Sequence, residues 1–380
     1  MQQSYYIIAA ASAVALCIVS IIVLRKRLKP SFSPNVLYIQ GLNELVLGDP
    51  DKALKLLRKL VCSHTDYLDA YIHISNISRQ KGDHENAIRI LRDLLARPQL
   101  EQSQEILIIR SLAFNYWECQ QYTWTLYACD RLLEIDKKDE WAKTKKIECF
   151  EALHDWENAF LHLKKINNIP KDKKQDILSL YKVEQGLVLI SGKSEHHARL
   201  TFRQAIKIKT DCFPAYLELV KSYIRERRAK DAEKELRKLI HKIPHMASVA
   251  LEELSPGLYE LGEFEQVEAL YLYLLKSKQD FVDVYLGLAK IKEKKGELEK
   301  AVELNRKAYQ KLSNDSILLQ IIRLESKLGR HESVKSEINN VSAYQYEHSF
   351  ACSRCGYTAD SYFWHCPTCH NWNTARRGNS

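Results

Sequence analysis

Apolar positions along most of the chain recur at helical spacing, and the unit that contains them is itself repeated. Gly48-Asp49 is followed thirty-four residues later by Gly82-Asp83, and the same step relates Gly262-Glu263 to Gly296-Glu297. Thirty-four residues is the period of tetratricopeptide repeats, whose units are pairs of amphipathic helices joined by a tight turn. We therefore predict an all-α tetratricopeptide α-solenoid, wound as a superhelix, over residues 30–341, with eight units and a ninth, shorter one around Ile317–Val341.

A small residue in the second helix of each unit is predicted to let the two helices approach closely. The small residues are Ala53, Ala87, Ala159, Ala198, Ala232 and Ala301, with Thr125 and Val267 in their place in two units. Bulky residues follow one turn later, at Leu57, Leu91, Phe202, Leu236 and Tyr271. Stacked hairpins of this kind form a concave surface that normally binds protein segments, so the array predicts interaction with other proteins.

An uncharged apolar run precedes the repeats. No residue from Tyr5 to Leu24 is charged, and a run of ~20 apolar residues is what a helix needs to cross a bilayer. Basic residues follow it, at Arg25, Lys26, Arg27 and Lys29, whereas a cleavable signal peptide would carry positive charge before the run. We predict an uncleaved transmembrane anchor over residues 1–29, and the positive-inside rule places the remaining chain on the cytoplasmic side.

Charge and motifs argue against two broad classes of function, nucleic-acid binding and catalysis. The net charge is +9, but four of the basic residues belong to the anchor flank, and runs such as Arg225–Arg228 and Lys292–Lys295 alternate with acids. These runs are interpreted as solvated helix faces rather than a track for nucleic-acid phosphates. The sequence contains no phosphate-binding loop, nucleophile elbow or zinc-protease motif, and His196-His197 has no paired carboxylates, so no enzyme is predicted.

The strongest chemical signal is a pair of C-x-x-C motifs near the end of the sequence. Cys352, Cys355, Cys366 and Cys369 are predicted to bind one metal ion in a closed tetrahedral shell, a structural rather than a hydrolytic arrangement. Zinc and iron both suit four thiolates. A redox C-x-x-C pair would need a βαβ setting, and disulfides do not suit a reducing compartment.

The segment that carries these cysteines, residues 342–380, is too small to fold without the metal and a supporting surface. Its aromatic residues exceed what so small a domain can cover: Tyr357, Tyr362, Phe363, Trp364 and Trp372. We expect some of them to dock on the preceding helices, and specifically on the final hairpins around Ile317–Val341.

The order of an apolar anchor, a repeat array and a four-cysteine ribbon resembles the lipopolysaccharide assembly protein B family of Gram-negative bacteria. Three local strings support the resemblance. The first is Tyr38-x-x-Gly41-Leu-Asn43 followed by Asp51-Lys52-Ala53, and the second is Gly82-Asp-x-Glu85-x-Ala87-Ile-Arg-Ile90. The terminal string is Cys352-x-x-Cys355-Gly356-x-Thr358-Ala359 with Tyr362-x-Trp364-His-Cys366-Pro-x-Cys369-x-x-Trp372-x-Thr374. The terminal string is the most specific of the three, since repeat motifs are shared by many unrelated proteins.

The resemblance implies a non-enzymatic inner-membrane adaptor that regulates lipopolysaccharide biosynthesis from the cytoplasmic side. It implies that the protein works with the membrane-bound AAA+ protease FtsH to promote degradation of the deacetylase LpxC, and a homodimer is compatible with it. It also implies a rubredoxin-like ribbon, hence iron on the four cysteines.

Three alternatives remain open from the sequence: a rubredoxin-like electron-transfer protein, a nucleic-acid-binding zinc ribbon, and a scaffold for another membrane-associated assembly. The large repeat array counts against the first. Against the second, the ribbon from Phe350 on carries only Arg354, Arg376 and Arg377 as permanent cations.

Overall fold

The computed structural model of the protein describes residues 33–98, 100–276, 282–338 and 350–377. The chain divides into two compact units, Met1–Leu153 and His154–Ser380. The helices of the first unit are α1 (Pro34–Val46), α2 (Pro50–Ser63), α3 (Leu68–Gln80), α4 (His84–Leu95), α5 (Gln102–Glu118), α6 (Tyr122–Ile135) and α7 (Glu140–Ala152).

The second unit contains further helices and a small sheet. The helices are α8 (Trp156–Lys165), α9 (Lys171–Ser191), α10 (Glu195–Ile208), α11 (Phe213–Arg225), α12 (Ala229–Lys242), α13 (Ala247–Glu260), α14 (Phe264–Lys276), α15 (Val282–Lys294), α16 (Leu298–Leu312), α17 (Asp315–Lys327) and α18 (His331–Ile338), with a short 3-10 turn at Pro244–Met246. The strands are β1 (Phe350–Cys352), β2 (Thr358–Ala359) and β3 (Ala375–Arg377). The described part of the chain is thus a mostly helical array of tetratricopeptide hairpins followed by a small cysteine-containing ribbon.

The Gly-acidic pairs form the turns inside hairpins, as predicted. Gly48 and Gly82 have φ angles of 78° and 81°, in the left-handed region that favours glycine at the end of a helix. The aspartate that follows each glycine caps the next helix: Asp49 accepts a hydrogen bond from the backbone N–H of Lys52 (3.0 Å) and Asp83 from that of Asn86 (3.3 Å). One dipeptide therefore ends one helix and begins the next.

Four of the corresponding turns lack glycine. Their left-handed residues are Gln120, His154, Lys193 and Arg227, with φ between 55° and 58°. The backbone makes the same turn at these positions, at the steric cost that a side chain brings to the left-handed region. This explains why these four turns show no Gly-acidic pair in the sequence.

The predicted pairing of small and bulky residues is confirmed. All six alanines of the pattern are fully buried, as are Leu57, Leu91, Phe202 and Leu236, while Thr125 and Val267 are buried in the two units without alanine. The bulky side chains pack on glycines of neighbouring helices: a Cβ at Gly186 would lie 2.3 Å from the ring of Phe202, and one at Gly287 would lie 2.4 Å from that of Tyr271. Core packing thus depends on very small residues in both helices.

A membrane span is not found in the described part of the chain, where every helix is too short or too polar to cross a bilayer. The predicted anchor, with its apolar run from Tyr5 to Leu24, lies outside the described residues.

Candidate metal centre

The two C-x-x-C motifs form two similar turns, each beginning and ending at a cysteine. In the first turn, the backbone N–H of Gly356 donates to the carbonyl of Cys352 (3.0 Å), and Gly356 has a φ of 77°. In the second, the backbone N–H of His370 donates to the carbonyl of Cys366 (2.9 Å), and His370 has a φ of 52°. Gly356 lies in the left-handed region that favours glycine, and His370 makes the same turn without glycine.

A three-stranded antiparallel sheet and a neighbouring bridge hold the two turns. Strand β1 lies between β2 and β3, with Phe350 opposite both Ala359 and Arg377. The second turn is closed by an antiparallel bridge between His365 and Trp372. Each cysteine pair therefore lies at the tip of a short hairpin, which limits the freedom of both sulfurs.

The four sulfur atoms converge on one point. Cys352, Cys355, Cys366 and Cys369 have all their Sγ atoms within 4.8 Å of one another. The distance from Cys352 Sγ to Cys369 Sγ is 3.7 Å, and that from Cys355 Sγ to Cys366 Sγ is 3.6 Å. A tetrahedral ion with metal–sulfur distances of about 2.3 Å separates its ligands by about 3.8 Å, so this arrangement could hold one metal ion.

Hydrogen bonds to Cys352 and Cys369 favour the thiolate form that metal binding needs. At Cys355 a backbone hydrogen bond from Tyr357 acts in the same direction, but desolvation and the other three thiols outweigh it and raise the pKa to about 12. Cys352 Sγ lies 3.2 Å from Thr374 Oγ1, and the hydroxyl of Thr374 lowers the pKa of Cys352 to about 6. The pKa of Cys369 is also lowered: desolvation opposes the thiolate, but hydrogen bonds from the backbone and side chain of Asn371 outweigh it. Thr374 and Asn371 thus supply hydrogen bonds of the kind that typically support metal-binding thiolates.

The aromatic residues of the ribbon dock on the repeats, but not where the sequence suggested. Phe350, Tyr362, Phe363, Trp364 and Trp372 join the hydrophobic core that runs from Leu180 to Ile291. Trp372 lies edge-on to Trp156 and Tyr181, with ring centroids 5.8 and 5.6 Å away, and Tyr362 lies 5.1 Å from Phe213.

The expectation that the ribbon caps the final hairpins is therefore wrong. The core clusters that contain Ile317, Ile321 and Leu324 include none of the ribbon's described aromatic residues. The ribbon instead folds back onto helices α8 to α15. Its aromatic surface finds there a larger apolar partner than the short α18, in which no residue is buried.

Polar contacts fix the docked position of the ribbon. Trp364 donates its indole N–H to the carboxylate of Glu184 at 2.7 Å, across 180 residues of sequence. Arg377 contacts the carboxylate of Asp283, lies 3.6 Å from that of Glu252 and donates to Ser248 Oγ at 3.2 Å. Trp364 and Arg377 of the ribbon thus each have polar partners on the repeats.

The four predicted ligand residues come together, whereas sequence reasoning missed the residues that support them. Thr374 and Asn371 belong to the terminal string but have no periodic or spacing signal of their own. Glu184 looks like any charged residue of a helix, and only its position in the folded chain gives it a partner. The cation Arg377, counted above as a potential phosphate contact, is used in ion pairs within the protein.

Comparison with known proteins finds separate matches for the repeats and for the ribbon. Residues 350–376 match a family described as a rubredoxin metal binding domain, and residues 68–97 and 253–316 match tetratricopeptide repeat families. Lipopolysaccharide assembly protein B of Escherichia coli K12 is 21% identical over 344 residues, which cover 89% of this chain and 88% of the relative. The protein of the same name from Haemophilus influenzae is 23% identical over 366 residues, with the same coverage.

The predicted family resemblance is confirmed. The chain resembles lipopolysaccharide assembly protein B along most of its length, and the repeats and the ribbon occur in it in the predicted order. Among solved structures, the complex of Naa15 and Naa10 bound to HypK-THB has a chain that is similar with a TM-score of 0.40 and 12% identity, over 80% of this chain and 62% of that one. The tetratricopeptide array indicates that the protein interacts with other proteins.

Proposed function

We propose that this protein is a non-enzymatic adaptor of the inner membrane that regulates lipopolysaccharide assembly. The observation that carries the proposal is its similarity, over 89% of the chain, to proteins named for lipopolysaccharide assembly. The repeat array supplies surface for holding other proteins. The four cysteines lie in a closed cluster on the ribbon, an arrangement suited to structure rather than to turnover of a substrate.

The partners follow from the family resemblance. The protein would hold the deacetylase LpxC close to the membrane protease FtsH, and the anchor at residues 1–29 would keep the repeats at the cytoplasmic face of the membrane. Confinement to the same membrane raises the effective concentration of protease and adaptor without any additional contact.

The metal assignment is part of the same proposal. Cys352, Cys355, Cys366 and Cys369 would ligate one ion, iron by resemblance to rubredoxin and zinc equally by coordination chemistry. The bound ion would contribute stability on the order of 10 kcal/mol to the ribbon. Elemental analysis of protein purified from its own cell, with an absorption spectrum in the visible range, distinguishes the two metals.

Depletion of the protein from its own cell tests the regulatory role. If it promotes degradation of LpxC, depletion should raise the level of LpxC without changing its rate of synthesis. Crosslinking in intact membranes followed by purification should recover FtsH together with a lipopolysaccharide-synthesis enzyme. An unchanged half-life of LpxC, with neither partner among the crosslinked proteins, would overturn the proposal.

A further inference from the structure

A groove in the second unit is lined by the first helices of three successive hairpins. It encloses about 560 Å³ between helices α13, α15 and α17. Asp283, Leu286, Gly287, Lys290 and Lys294 fall on one face of α15 at helical spacing and form its floor. We call this surface the basic groove.

The basic groove carries more positive than negative charge. Its cations are Lys290, Lys294, Arg323 and Lys327, and its carboxylates are Glu252, Asp283 and Glu293. Arg323 and Lys327 both contact Glu293, so two cations share one carboxylate. The other two carboxylates are both held by Arg377 of the ribbon.

Two lysines of the groove, Lys290 and Lys294, are exposed and form no ion pair in the described ranges of the chain. Lys290 nevertheless lies near enough to Asp283 for its charge to act on that carboxylate. Lys294 lies 4.9 Å from the ring of Tyr259, a contact that positions its ammonium group at the groove wall without neutralising it. The neighbouring lysines Lys292 and Lys295, by contrast, both pair with Glu268.

The walls of the groove are apolar and aromatic. Pro256, Tyr259 and Leu286 line it between the charged groups. A pocket of this size that combines apolar walls with a few convergent charges suits side chains of both kinds, presented alternately by an extended peptide. A membrane surface is flat and would not enter it.

From these contacts we propose that the basic groove binds an acidic, extended segment of a partner protein. Lys290 and Lys294 bind carboxylates of the segment, while Arg323 and Lys327 bind one further acid in competition with Glu293. Arg377 of the docked ribbon keeps the groove receptive, because it neutralises Glu252 and Asp283 that would otherwise repel the segment. The proposal goes beyond the adaptor role above and does not depend on which pathway the protein serves.

Fluorescence anisotropy on the full-length protein in detergent provides the first test. The probes are a labelled peptide in which glutamate alternates with leucine, and a matched peptide with glutamine in place of glutamate. The acidic peptide should bind, and its affinity should fall as the salt concentration rises. The neutral peptide should not bind. Equal binding of the two peptides would overturn the proposal.

Variants locate the site. Lys290→Ala with Lys294→Ala should weaken binding of the acidic peptide about tenfold, and Glu293→Gln should tighten it about threefold by freeing two cations. Lys307→Ala is the matched control, since Lys307 is an exposed lysine of α16 paired with Glu303 outside the groove. An equal loss from Lys307→Ala and from the double variant would show a non-specific charge effect and overturn the assignment.

The role of the ribbon is tested by a second pair of variants. Arg377→Ala should weaken peptide binding several-fold, because Asp283 and Glu252 then face the peptide unneutralised. Adding Asp283→Asn should restore most of the affinity if Arg377 acts through charge. Failure of the double variant to recover, with unchanged helix content, would reject this part of the proposal.

Two further probes decide the class of partner. Vesicles containing anionic phospholipid and a single-stranded RNA of equal charge should compete with the peptide only weakly. Stronger binding of either probe, lost in the Lys290/Lys294 double variant, would overturn a protein segment as the occupant. The half-life of LpxC tests the adaptor role separately. A protein that shortens this half-life but does not bind the acidic peptide would overturn the groove proposal and leave the adaptor role standing.

Discussion

The hydrogen bond between Trp364 and Glu184 is a half-buried contact to a titratable carboxyl group. Burial raises the pKa of Glu184, and the hydrogen bond from Trp364 only partly offsets that effect. A carboxyl group with a raised pKa in the folded state opposes folding once the pH exceeds its unfolded-state pKa, and the penalty disappears as the pH falls below that value. Glu184 therefore costs stability at neutral and alkaline pH.

We expect Glu184→Gln to increase the free energy of unfolding, relative to the unsubstituted protein, by more at about pH 8 than at about pH 5. The amide oxygen of glutamine can still accept from Trp364, and it carries no charge that must be buried. Thermal unfolding at both pH values measures the difference. Glu303→Gln is the control: the hydrogen bond and charge of Lys307 lower the pKa of Glu303, so its removal should bring no gain at alkaline pH. A larger relative gain at the acidic pH would contradict this account.

Helix pairs in the array depend on glycine beside aromatic residues. Gly186 of α9 and the ring of Phe202 in α10 are close enough that a methyl group at position 186 would lie 2.3 Å from the ring. Phe202 is completely buried and cannot move into solvent without exposing the core. The contact therefore limits which residues α9 can carry at this position.

Gly186→Ala should destabilise the second unit by about 1–3 kcal/mol through overpacking, in spite of the better helix propensity of alanine. Gly192→Ala is the matched control, since Gly192 ends the same helix and the nearest atom to its added Cβ would be 3.5 Å away. Denaturant unfolding followed by hydrogen exchange of α9 and α10 measures both variants. Equal stability of the two variants would contradict the packing argument.

The ribbon and helices α8 to α15 form one packed body, so the metal centre should stabilise repeats far from it in sequence. We expect Cys366→Ser with Cys369→Ser to lose the metal and to increase hydrogen exchange around Trp156, Tyr181 and Phe213, because the docked aromatics are then held less firmly. Helices α17 and α18 should be much less affected, since repeats pass on stability only through neighbours.

Cys62→Ser is the control for loss of a thiol, because Cys62 is an exposed cysteine of the first unit. Chelation of the metal from the unsubstituted protein should reproduce the exchange pattern of the double variant. Unchanged protection around Tyr181 after the metal is lost would show that the ribbon docks without its metal.

At the scale of the whole molecule, adaptor and membrane are expected to act together. The repeats offer a surface for a client, the ribbon supports part of that surface, and the predicted anchor would restrict the protein to the plane in which a membrane protease works. A weak interaction then suffices, because confinement raises the effective concentration of the partners.

Removal of Met1–Lys29 should leave a folded helical protein that regulates LpxC poorly. Replacement of the same residues by an unrelated single-span anchor of the same orientation should restore most of the regulation. The half-life of LpxC in cells that express each form at the native level measures both effects. Full regulation by the truncated form would refute the role of the anchor.

Much of this protein follows from its sequence, because its main features are local. A thirty-four-residue period reports a helix pair that is repeated whatever lies beside it, and Gly48-Asp49 marks a turn through the φ of one residue and the cap made by the next. The spacing of Cys352 and Cys355, repeated at Cys366 and Cys369, predicts a shared site because two residues between cysteines allow both sulfurs to face one ion.

The tertiary structure alone decided which distant surfaces meet. The aromatic residues of the ribbon indicated that it would dock, but any apolar surface of the array could have received them. The choice of Glu184, Phe213 and Asp283 depends on how the successive hairpins bring α9, α11, α13 and α15 into one row. The left-handed turns at Gln120 and Lys193 could not be predicted from the sequence either, because the surrounding packing imposes a backbone angle that those residues do not favour. Local chemistry therefore determined the helical hairpins and the four-cysteine ribbon. Burial of the ribbon's excess apolar surface determined where the ribbon docks on the repeats.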